Sequence, residues 1–186
     1  MRIKNITTLF ICSLISILTF GQSKSIDTKK STLEWTGKAA FNAYALSGTL
    51  KAKSGEILIE NDSIKTLKIV IDMKSLNHEN KDLKSHLRGK DFFEVKTYTK
   101  AIFLLEDAVR IQNRTAKLRG KLTIKDITKT ETFTIKLDEV YSELTFDITI
   151  DRTDYGVKFN SPSFFKKMKE NAIADDFKLK GSLKLN

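Results

Sequence analysis

The amino-acid sequence predicts a mainly β protein, an antiparallel barrel of about eight strands with a short helix near one end. Apolar and polar residues alternate with a period of two along most of the chain after residue 30, a pattern typical of strands that bury one face. One proline and eight glycines in 186 residues leave these segments largely uninterrupted. Closing such strands into a barrel removes exposed sheet edges, so a barrel is favoured, and a two-sheet sandwich is the alternative.

Eight segments carry this alternation, each with its apolar residues on one parity. In chain order the apolar rows are Leu33 with Trp35, residues 47–59, Leu67 to Met73, Ala101 to Leu105, Leu118 to Ile124, Phe133 to Leu137, Leu144 to Ile150, and Phe177 to Leu185. A turn at residues 126–129 is expected between the fifth and sixth rows. The lysines fall on the opposite parity, so we expect them on the solvent face.

Two segments break the alternation, and both place aromatic pairs beside loops. Residues 77–88 have Leu83 and Leu87 four apart, which predicts a short helix, and Phe92 and Phe93 follow it. Residues 162–171 predict a turn or short helix with Phe164, Phe165 and Met168 on one side. We expect both segments to cover a barrel end.

The first 21 residues have the layout of a secretory signal peptide. Arg2 and Lys4 precede an apolar stretch over 6–20, which is shorter than the ~20 residues of a transmembrane helix. We therefore expect cleavage near Gly21, export to the periplasm or medium, and one domain over 22–186. A retained N-terminal anchor is the alternative. The only cysteine, Cys12, lies in this segment, so the domain is expected to lack disulfides and thiol chemistry.

Residues 22–186 carry 31 basic and 23 acidic side chains, a net charge of +8 that favours anionic surfaces. The lysines are spaced singly and lie opposite the aromatic residues, which argues against nucleic-acid binding. Lys166, Lys167 and Lys169, beside Phe164 and Phe165, predict a transient contact with an anionic membrane surface, with a solvated loop as the alternative.

Catalytic and metal-binding patterns are weak. His78, Asp82 and His86 would share one face of a helix, but residues eight apart are ~12 Å apart along it, too far for one metal ion. Polar residues on the outer helix face are the simpler interpretation. The sequence contains no nucleophile elbow, zinc-protease motif or phosphate-binding glycine loop. We therefore predict no enzyme activity, no metal and no cofactor.

Three segments resemble a known family. They are HLRGKDFFEVKTYTKAIF at 86–103, which contains Asp91, Phe92 and Phe93; LRGKLTIKDITKTETFTI at 118–135; and DRTDYGV at 151–157, which contains Arg152, Tyr155 and Gly156. With residues 31–35 and 175–176, they make the chain from residue 26 onward similar to the YceI-like family of exported, lipocalin-like polyisoprenoid-binding proteins. Lys38 and Thr99 depart from the family pattern, where a histidine and a proline are common.

The resemblance implies an eight-stranded lipocalin-like barrel whose apolar interior holds an isoprenoid-type lipid, either a quinone or a prenyl phosphate. The protein would then be a periplasmic carrier or scavenger. A secreted enzyme acting on a lipid or amide, and a filled barrel with a stress or interaction role, are the alternatives. The sequence does not predict the ligand's chain length, its head group or the oligomeric state.

Gly120 and Gly181 lie on the inward parity, where their small size would leave room for a chain, although a core packed with aromatic side chains fits the same pattern. Arg88, Arg152 and Tyr155 are predicted to meet a polar head group at the mouth, with internal salt bridges as the alternative for the arginines. The residues predicted to line the cavity are Trp35, Leu67, Ile69, Ile71, Phe92, Phe93, Phe103, Leu105, Leu122, Phe133, Phe146, Ile148, Phe164, Phe177 and Leu179.

Overall fold

The computed structural model describes residues 21–165 and 171–186. Its strands are β1 (Gln22–Ala39), β2 (Ala45–Glu60), β3 (Ser63–Asn77), β4 (Lys100–Leu105), β5 (Val109–Arg110), β6 (Thr115–Ile124), β7 (Ile127–Leu137), β8 (Glu143–Asp151) and β9 (Ile173–Leu185). One helix, α1 (Lys81–Leu87), lies between β3 and β4. No helix among these residues is long and apolar enough to cross a membrane.

Eight of the strands form a closed antiparallel barrel, which confirms the predicted fold and excludes the sandwich. The hydrogen-bonded order is β2, β1, β9, β8, β7, β6, β4, β3, and β3 pairs back with β2. The two-residue strand β5 pairs only with the start of β3 and lies outside this circuit. Buried and exposed residues alternate along the wall, as in β6, so the lysines of β6 face solvent as predicted.

The connections divide into two sets at opposite ends of the barrel. The helix end, which contains α1, consists of residues 40–44, 78–99, 125–126, 152–165 and 171–172. The far end consists of residues 61–62, 106–114 and 138–142. Each connection joins neighbouring antiparallel strands, so the loops of one set lie side by side around the same rim.

The helix is shorter than the predicted 77–88. The Asn80 side chain accepts hydrogen bonds from the backbone N–H groups of Asp82 and Leu83, both at 2.9 Å, and so fixes the helix start. His78 therefore precedes the helix and does not share a face with His86. Residues 162–165 form a turn, and Met168, with the rest of 166–170, lies outside the described residues.

The hairpin turn between β6 and β7 also differs from the prediction, because it is formed by Lys125 and Asp126. Both residues have positive φ angles, 49° and 60°. Two left-handed residues form the tight turn whose twist matches the flanking strands. In the sequence, Lys125 continues the alternation of apolar and polar residues beyond Ile124, so the pattern places it in the preceding strand.

Gly120 and Gly181 face inward as predicted, but aromatic rings occupy the space that they leave. A Cβ atom on either residue would lie closer than 3.0 Å to the ring of Phe103 or Phe146, respectively. The Phe133 ring centroid lies 4.8 Å from that of Phe103 and 6.3 Å from that of Phe146. These three rings form a layer across the barrel, which we call the aromatic floor.

The barrel interior between the aromatic floor and the far end is filled. Leu118, Ile135, Leu144 and Leu183 have no exposed surface there, and they contribute to one continuous apolar core. Packing at this density is typical of a protein interior, so no room for a ligand remains in this half. The expectation that the two glycines open a cavity is therefore wrong.

The barrel wall has a weak seam between β7 and β8. Only three residue pairs join these strands, from Ile135 with Phe146 to Leu137 with Leu144. Beyond them, the first half of β7 pairs only with β6. A 3-10 turn, Thr153–Tyr155, covers the gap, and the buried Tyr155 hydroxyl donates a hydrogen bond to Glu131 Oε1 at 2.7 Å.

We predict that Gly181→Ala lowers the free energy of unfolding by about 1–3 kcal/mol, because the added methyl group overpacks the aromatic floor. Chemical denaturation followed by circular dichroism measures this difference. Gly37→Ala is the matched control, since a Cβ there would meet only the Trp35 ring, at 4.0 Å. Equal stability of the two variants would contradict the packing assignment.

Candidate functional site

The half of the barrel at the helix end contains an apolar cavity of about 370 Å³. This volume lies within the usual range of small-molecule pockets. Apolar side chains from seven of the eight barrel strands form its walls, and glycine and alanine residues also line it. A closed barrel of eight strands has space for one slender ligand, so the cavity suits a single unbranched or lightly branched chain.

Trp35 forms part of the wall at the end of the β1 row. Its indole nitrogen donates a hydrogen bond to the Asn77 carbonyl oxygen at 3.3 Å, and its ring lies 5.9 Å from the ring of the buried His78. The one polar atom of the indole is therefore satisfied outside the cavity, which leaves an apolar surface facing inward. His78 Nδ1 in turn accepts a hydrogen bond from the backbone of Asn80 at 3.0 Å, so this histidine supports the wall.

The aromatic floor closes the inner end of the cavity. The cavity lining reaches Ala101 on β4 and Leu122 on β6 but stops short of Phe103 and Gly120, the next inward residues on those strands. On β9 it likewise includes Leu179 and stops before Gly181. The depth available to a ligand is thus set by the Phe103 and Phe146 rings.

A cover of helix and loop lies over the other end. Leu83 and Leu87 of α1, together with Phe92 and Phe93, reach the cavity from above. The Lys125 ammonium donates a hydrogen bond to the Phe92 carbonyl oxygen at 2.8 Å and so ties this loop to the β6–β7 turn. Because the contacts across the cover are mainly between apolar side chains and rings, the ligand would meet hydrocarbon here as well.

His86 lies on this cover, although the sequence placed it on an outer, solvated face. Its ring packs edge-on against Phe92, at 5.1 Å between centroids, and against Phe159, at 4.7 Å. It is exposed on one side and lines the cavity on the other. His86 follows Leu83 by three residues, a spacing that places two side chains side by side on a helix and could have indicated the inward face.

Arg152 is buried and its guanidinium is held by backbone groups inside the protein. It donates to three backbone carbonyl oxygens, those of Ala174 at 3.0 Å, Val157 at 2.7 Å and Ile173 at 3.0 Å. Asp175 lies 3.9 Å away as its counter-charge. Burial lowers the pKa of Arg152, and the nearby carboxylates oppose this shift. Arg152 contributes to the cavity wall, but its role here is to hold the β8–β9 connection.

The other two residues predicted at the mouth do not reach the cavity. Arg88 lines a groove on the outer side of α1. Tyr155 is fully buried behind the seam, where burial and the bond to Glu131 raise the pKa of its hydroxyl. Both positions correct the prediction, because residues near an aromatic cluster in sequence need not face it.

Seven of the fifteen residues predicted to line the cavity do so, and the other eight lie in the packed interior, at the seam or on the surface. Those in the lining are Trp35, Ile71, Phe92, Phe93, Leu122, Phe177 and Leu179. Leu67, Ile69 and Leu105 belong to the packed core, Phe103, Phe133 and Phe146 to the aromatic floor, Ile148 to the seam, and Phe164 to the exposed surface. Whether the seven contact a ligand stays a prediction.

The sequence analysis missed several lining residues. On the barrel wall these include Gly37, Leu46, Leu50, Met73, Leu76, Ile124 and Ile150. Most of them lie on apolar rows that were recognised, and their height in the barrel was the missing information. Lys38, Asn42, Tyr44, Asn171 and Asp176 bring polar groups to the opening. Lys38 and Asn42 are solvent-exposed donors suited to the oxygen atoms of a head group.

Metal binding has no support in the described part of the chain. Within residues 21–165 and 171–186, no three histidine, cysteine or acidic side chains are placed to hold one ion. The described residues around the cavity include no serine, threonine or cysteine that would act as a nucleophile on its contents.

A second cavity of about 320 Å³ lies in the seam between β7 and β8. Leu122 and Ile150 line both this space and the main cavity, so two side chains separate them. The rest of the seam is more polar and includes Glu131, Asp147 and Thr149. The barrel wall is therefore thinnest at this point.

Solved structures share the fold. BcnA from Burkholderia cenocepacia superposes with a TM-score of 0.71 at 23% identity, covering 87% of this chain and 99% of that one. A polyisoprenoid-binding domain from Saccharophagus degradans, described as implicated in plant cell wall breakdown, gives 0.63 at 14% identity, covering 88% and 97%. At these identities the likeness establishes the architecture alone.

Relatives by sequence include a UPF0312 protein of Staphylococcus aureus strain MSSA476, 31% identical over 118 residues, which cover 56% of this chain and 66% of that protein. A UPF0312 protein of Pseudomonas putida strain W619 is 28% identical over 130 residues, covering 63% and 65%. The matched regions span just under two thirds of these relatives' length.

The model of the YceI-like domain matches residues 25–185, which includes every strand except the first residues of β1. This range contains the cavity, its cover and the aromatic floor. The chain belongs to the YceI-like family.

Proposed function

We propose that this protein binds one isoprenoid-type lipid, with the hydrocarbon chain in the cavity and the head group at the helix end, and carries or scavenges it outside the cytoplasm. The observation behind this proposal is the apolar cavity in the half of the barrel at the helix end, opposite a half whose interior is packed with apolar side chains. The Saccharophagus degradans domain of the same fold, described as polyisoprenoid-binding, supports this choice of ligand.

The hydrophobic effect is strong enough for such a role. Burying one CH₂ group gains ~0.8 kcal/mol, so each five-carbon isoprene unit gains about 4 kcal/mol on leaving water. A few units would suffice for tight retention in solution. Against a membrane most of this gain cancels, because the chain already lies in hydrocarbon there. Exchange with membranes would then depend on the shape of the cavity and on contacts with the head group.

The polar groups at the opening favour a head group with oxygen acceptors. Lys38 provides a positive charge, and the Asn42 amide and the His86 imidazole provide N–H donors beside the cavity. A prenyl phosphate and a quinone both present such acceptors. Arg152 also lines the cavity, but three of its five N–H groups donate to backbone carbonyl oxygens.

Export is part of the proposal, with residues 1–21 acting as a signal peptide. The strand β1 begins at Gln22, so cleavage after Gly21 would leave all the barrel strands intact. Binding without catalysis is also part of it. Family membership favours a binding protein, and the described lining offers no nucleophile paired with a base.

We predict that protein purified from its native host releases an isoprenoid-type lipid on extraction with organic solvent, as measured by mass spectrometry. Ala101→Phe should reduce the amount of lipid or shorten its chain, since Ala101 is buried and lines the cavity. Leu104→Phe is the matched control, because Leu104 lies on the same strand and is 50% exposed on the outer face.

The absence of lipid from the unaltered protein would contradict the proposed function. So would an unchanged lipid in a folded Ala101→Phe variant. Thermal unfolding of both variants shows whether each is folded before its lipid content is compared.

We also predict that Phe146→Ala deepens the cavity and lengthens the chain that co-purifies. Removing this ring opens the aromatic floor towards Gly181, and it should lower the stability of the lipid-free protein by about 3–5 kcal/mol. The matched control is Leu144→Ala on the same strand and face, in the filled half. It should lose stability without any change in chain length. Equal chain lengths in both variants would show that the floor does not limit the ligand.

A further inference from the structure

Large apolar side chains are exposed mainly at the helix end of the barrel. Leu104 on the wall and Val140 at the far end are the exceptions among the described residues. The exposed large apolar residues at the helix end are Phe41, Tyr44, Ile127, Phe164 and Phe165. Single exposed apolar residues are common on soluble proteins, whereas their concentration around one opening points to contact with another surface.

The β1–β2 connection presents two of these residues. Phe41 is 65% exposed and Tyr44 is 63% exposed. The backbone N–H of Tyr44 donates to the Asn42 side chain at 2.8 Å, and the N–H of Ala39 donates to the Tyr44 carbonyl oxygen at 2.9 Å. These bonds hold a compact turn, so the two rings project from a defined backbone.

The β8–β9 connection presents a second pair. Phe164 and Phe165 are 48% and 47% exposed, and their backbone N–H groups both donate to the Ser161 carbonyl oxygen, at 3.2 and 2.9 Å. The Lys158 ammonium lies 4.4 Å from the centre of the Phe164 ring. This loop therefore combines exposed aromatic rings with a positive charge.

Backbone hydrogen bonds join both loops to one segment at the opening. The N–H of Ala40 donates to the Ala172 carbonyl oxygen at 2.8 Å, and the N–H of Ile173 donates to the Asn160 carbonyl oxygen at 2.8 Å. Ala172 and Ile173 line the cavity. The two aromatic pairs thus lie on either side of the same stretch of the opening.

The charges differ between the two ends of the barrel. The described loops of the helix end carry eight basic and six acidic side chains, a net charge of +2, and those of the far end carry two basic and five acidic ones, a net charge of −3. An anionic surface would therefore attract the helix end and repel the far end.

We propose that the helix end is a docking face for an anionic lipid bilayer, with Phe41, Tyr44, Phe164 and Phe165 entering the interfacial region around the opening. Aromatic rings are favoured at the level of the lipid head groups, and each nearby basic residue adds about 1 kcal/mol of attraction to anionic lipids. A bilayer is favoured over a protein partner because the rings surround the opening through which a lipid has to pass. The passage of a lipid through the opening rests on the proposed function, whereas docking to a bilayer can be measured whether or not the protein carries a lipid.

The test is sedimentation of the purified protein with vesicles of phosphatidylcholine alone or mixed with phosphatidylglycerol. The unaltered protein should bind the anionic vesicles more tightly, and 0.5 M salt should weaken this binding. Phe41→Ser combined with Phe165→Ser removes one ring from each loop and leaves the cavity lining unchanged. We expect a loss of affinity of about tenfold, from the apolar area withdrawn from the interface.

Leu104→Ser combined with Val140→Ser is the matched control, since both residues are exposed away from the helix end. It should keep its vesicle affinity within about twofold of the unaltered protein. Failure of the unaltered protein to bind anionic vesicles, or equal binding by the two double variants, would overturn the proposal. So would a change confined to self-association in the absence of vesicles, because the face would then be an interface between two copies of the chain.

Mass spectrometry of the lipid extracted from each double variant separates this proposal from the proposed function. Lipid retained in both variants, with vesicle binding lost only in the first, supports docking as a separate property. Vesicle binding without any extractable lipid would leave docking supported and contradict the carrier function.

Discussion

Contact between the Phe103 and Phe146 rings and the inward-facing glycines determines where this barrel is solid and where it is hollow. Eight strands give an interior of nearly fixed width, so inward side chains compete for the same space. Gly120 and Gly181 have no side chain, and the rings settle over them and meet Phe133 across the barrel axis. The residues beyond this layer pack to the far end, and the cavity lies on the other side of the layer. The inner end of the cavity is therefore set by the rings that fill the barrel at the aromatic floor.

The cover of the cavity depends on a buried charge. Arg152 gathers the carbonyl oxygens of Val157, Ile173 and Ala174 and so folds the β8–β9 connection against the barrel rim. Its planar guanidinium also lies 5.9 Å from the Phe92 ring, which places the loop after α1 beside this connection. A buried arginine is tolerated here because its donors are satisfied and Asp175 supplies a counter-charge. Removing the arginine would leave those carbonyl oxygens without this donor and Asp175 without its counter-charge.

The sequence was sufficient to predict the strands, the barrel and the inward faces, because each depends on local alternation. The position of an inward-facing residue along the barrel axis could not be predicted from this alternation. Ile71 and Leu67 lie on one strand and one parity, yet Ile71 lines the cavity and Leu67 belongs to the packed core. The difference arises from side chains on other strands, above all the rings that form the aromatic floor. Periodicity within one strand carries no information about them.

Polar residues were harder to place for a related reason. Tyr155 and Arg152 were grouped with the cavity mouth because aromatic and basic residues adjoin in sequence, whereas both are held by partners distant in the chain, Glu131 and the start of β9. His86 was placed outward because it is polar, although its position on the helix beside Leu83 and Leu87 brings it to the cavity. These side chains are positioned by residues that are distant in the chain, and a single sequence does not show which residues those are.

Because β7 and β8 are joined by a short ladder, the free energy needed to separate neighbouring strands differs around the barrel. Three residue pairs join these strands, fewer than at any other junction of the circuit. Past them, the Tyr155–Glu131 hydrogen bond and the Lys129–Asp154 ion pair join β7 to the 3-10 turn. Local opening requires least free energy where the fewest cross-strand bonds are broken. Backbone amides along the seam should therefore exchange with solvent before those of the β1–β2 or β6–β7 pairs, through a partial unfolding that leaves the rest of the sheet paired.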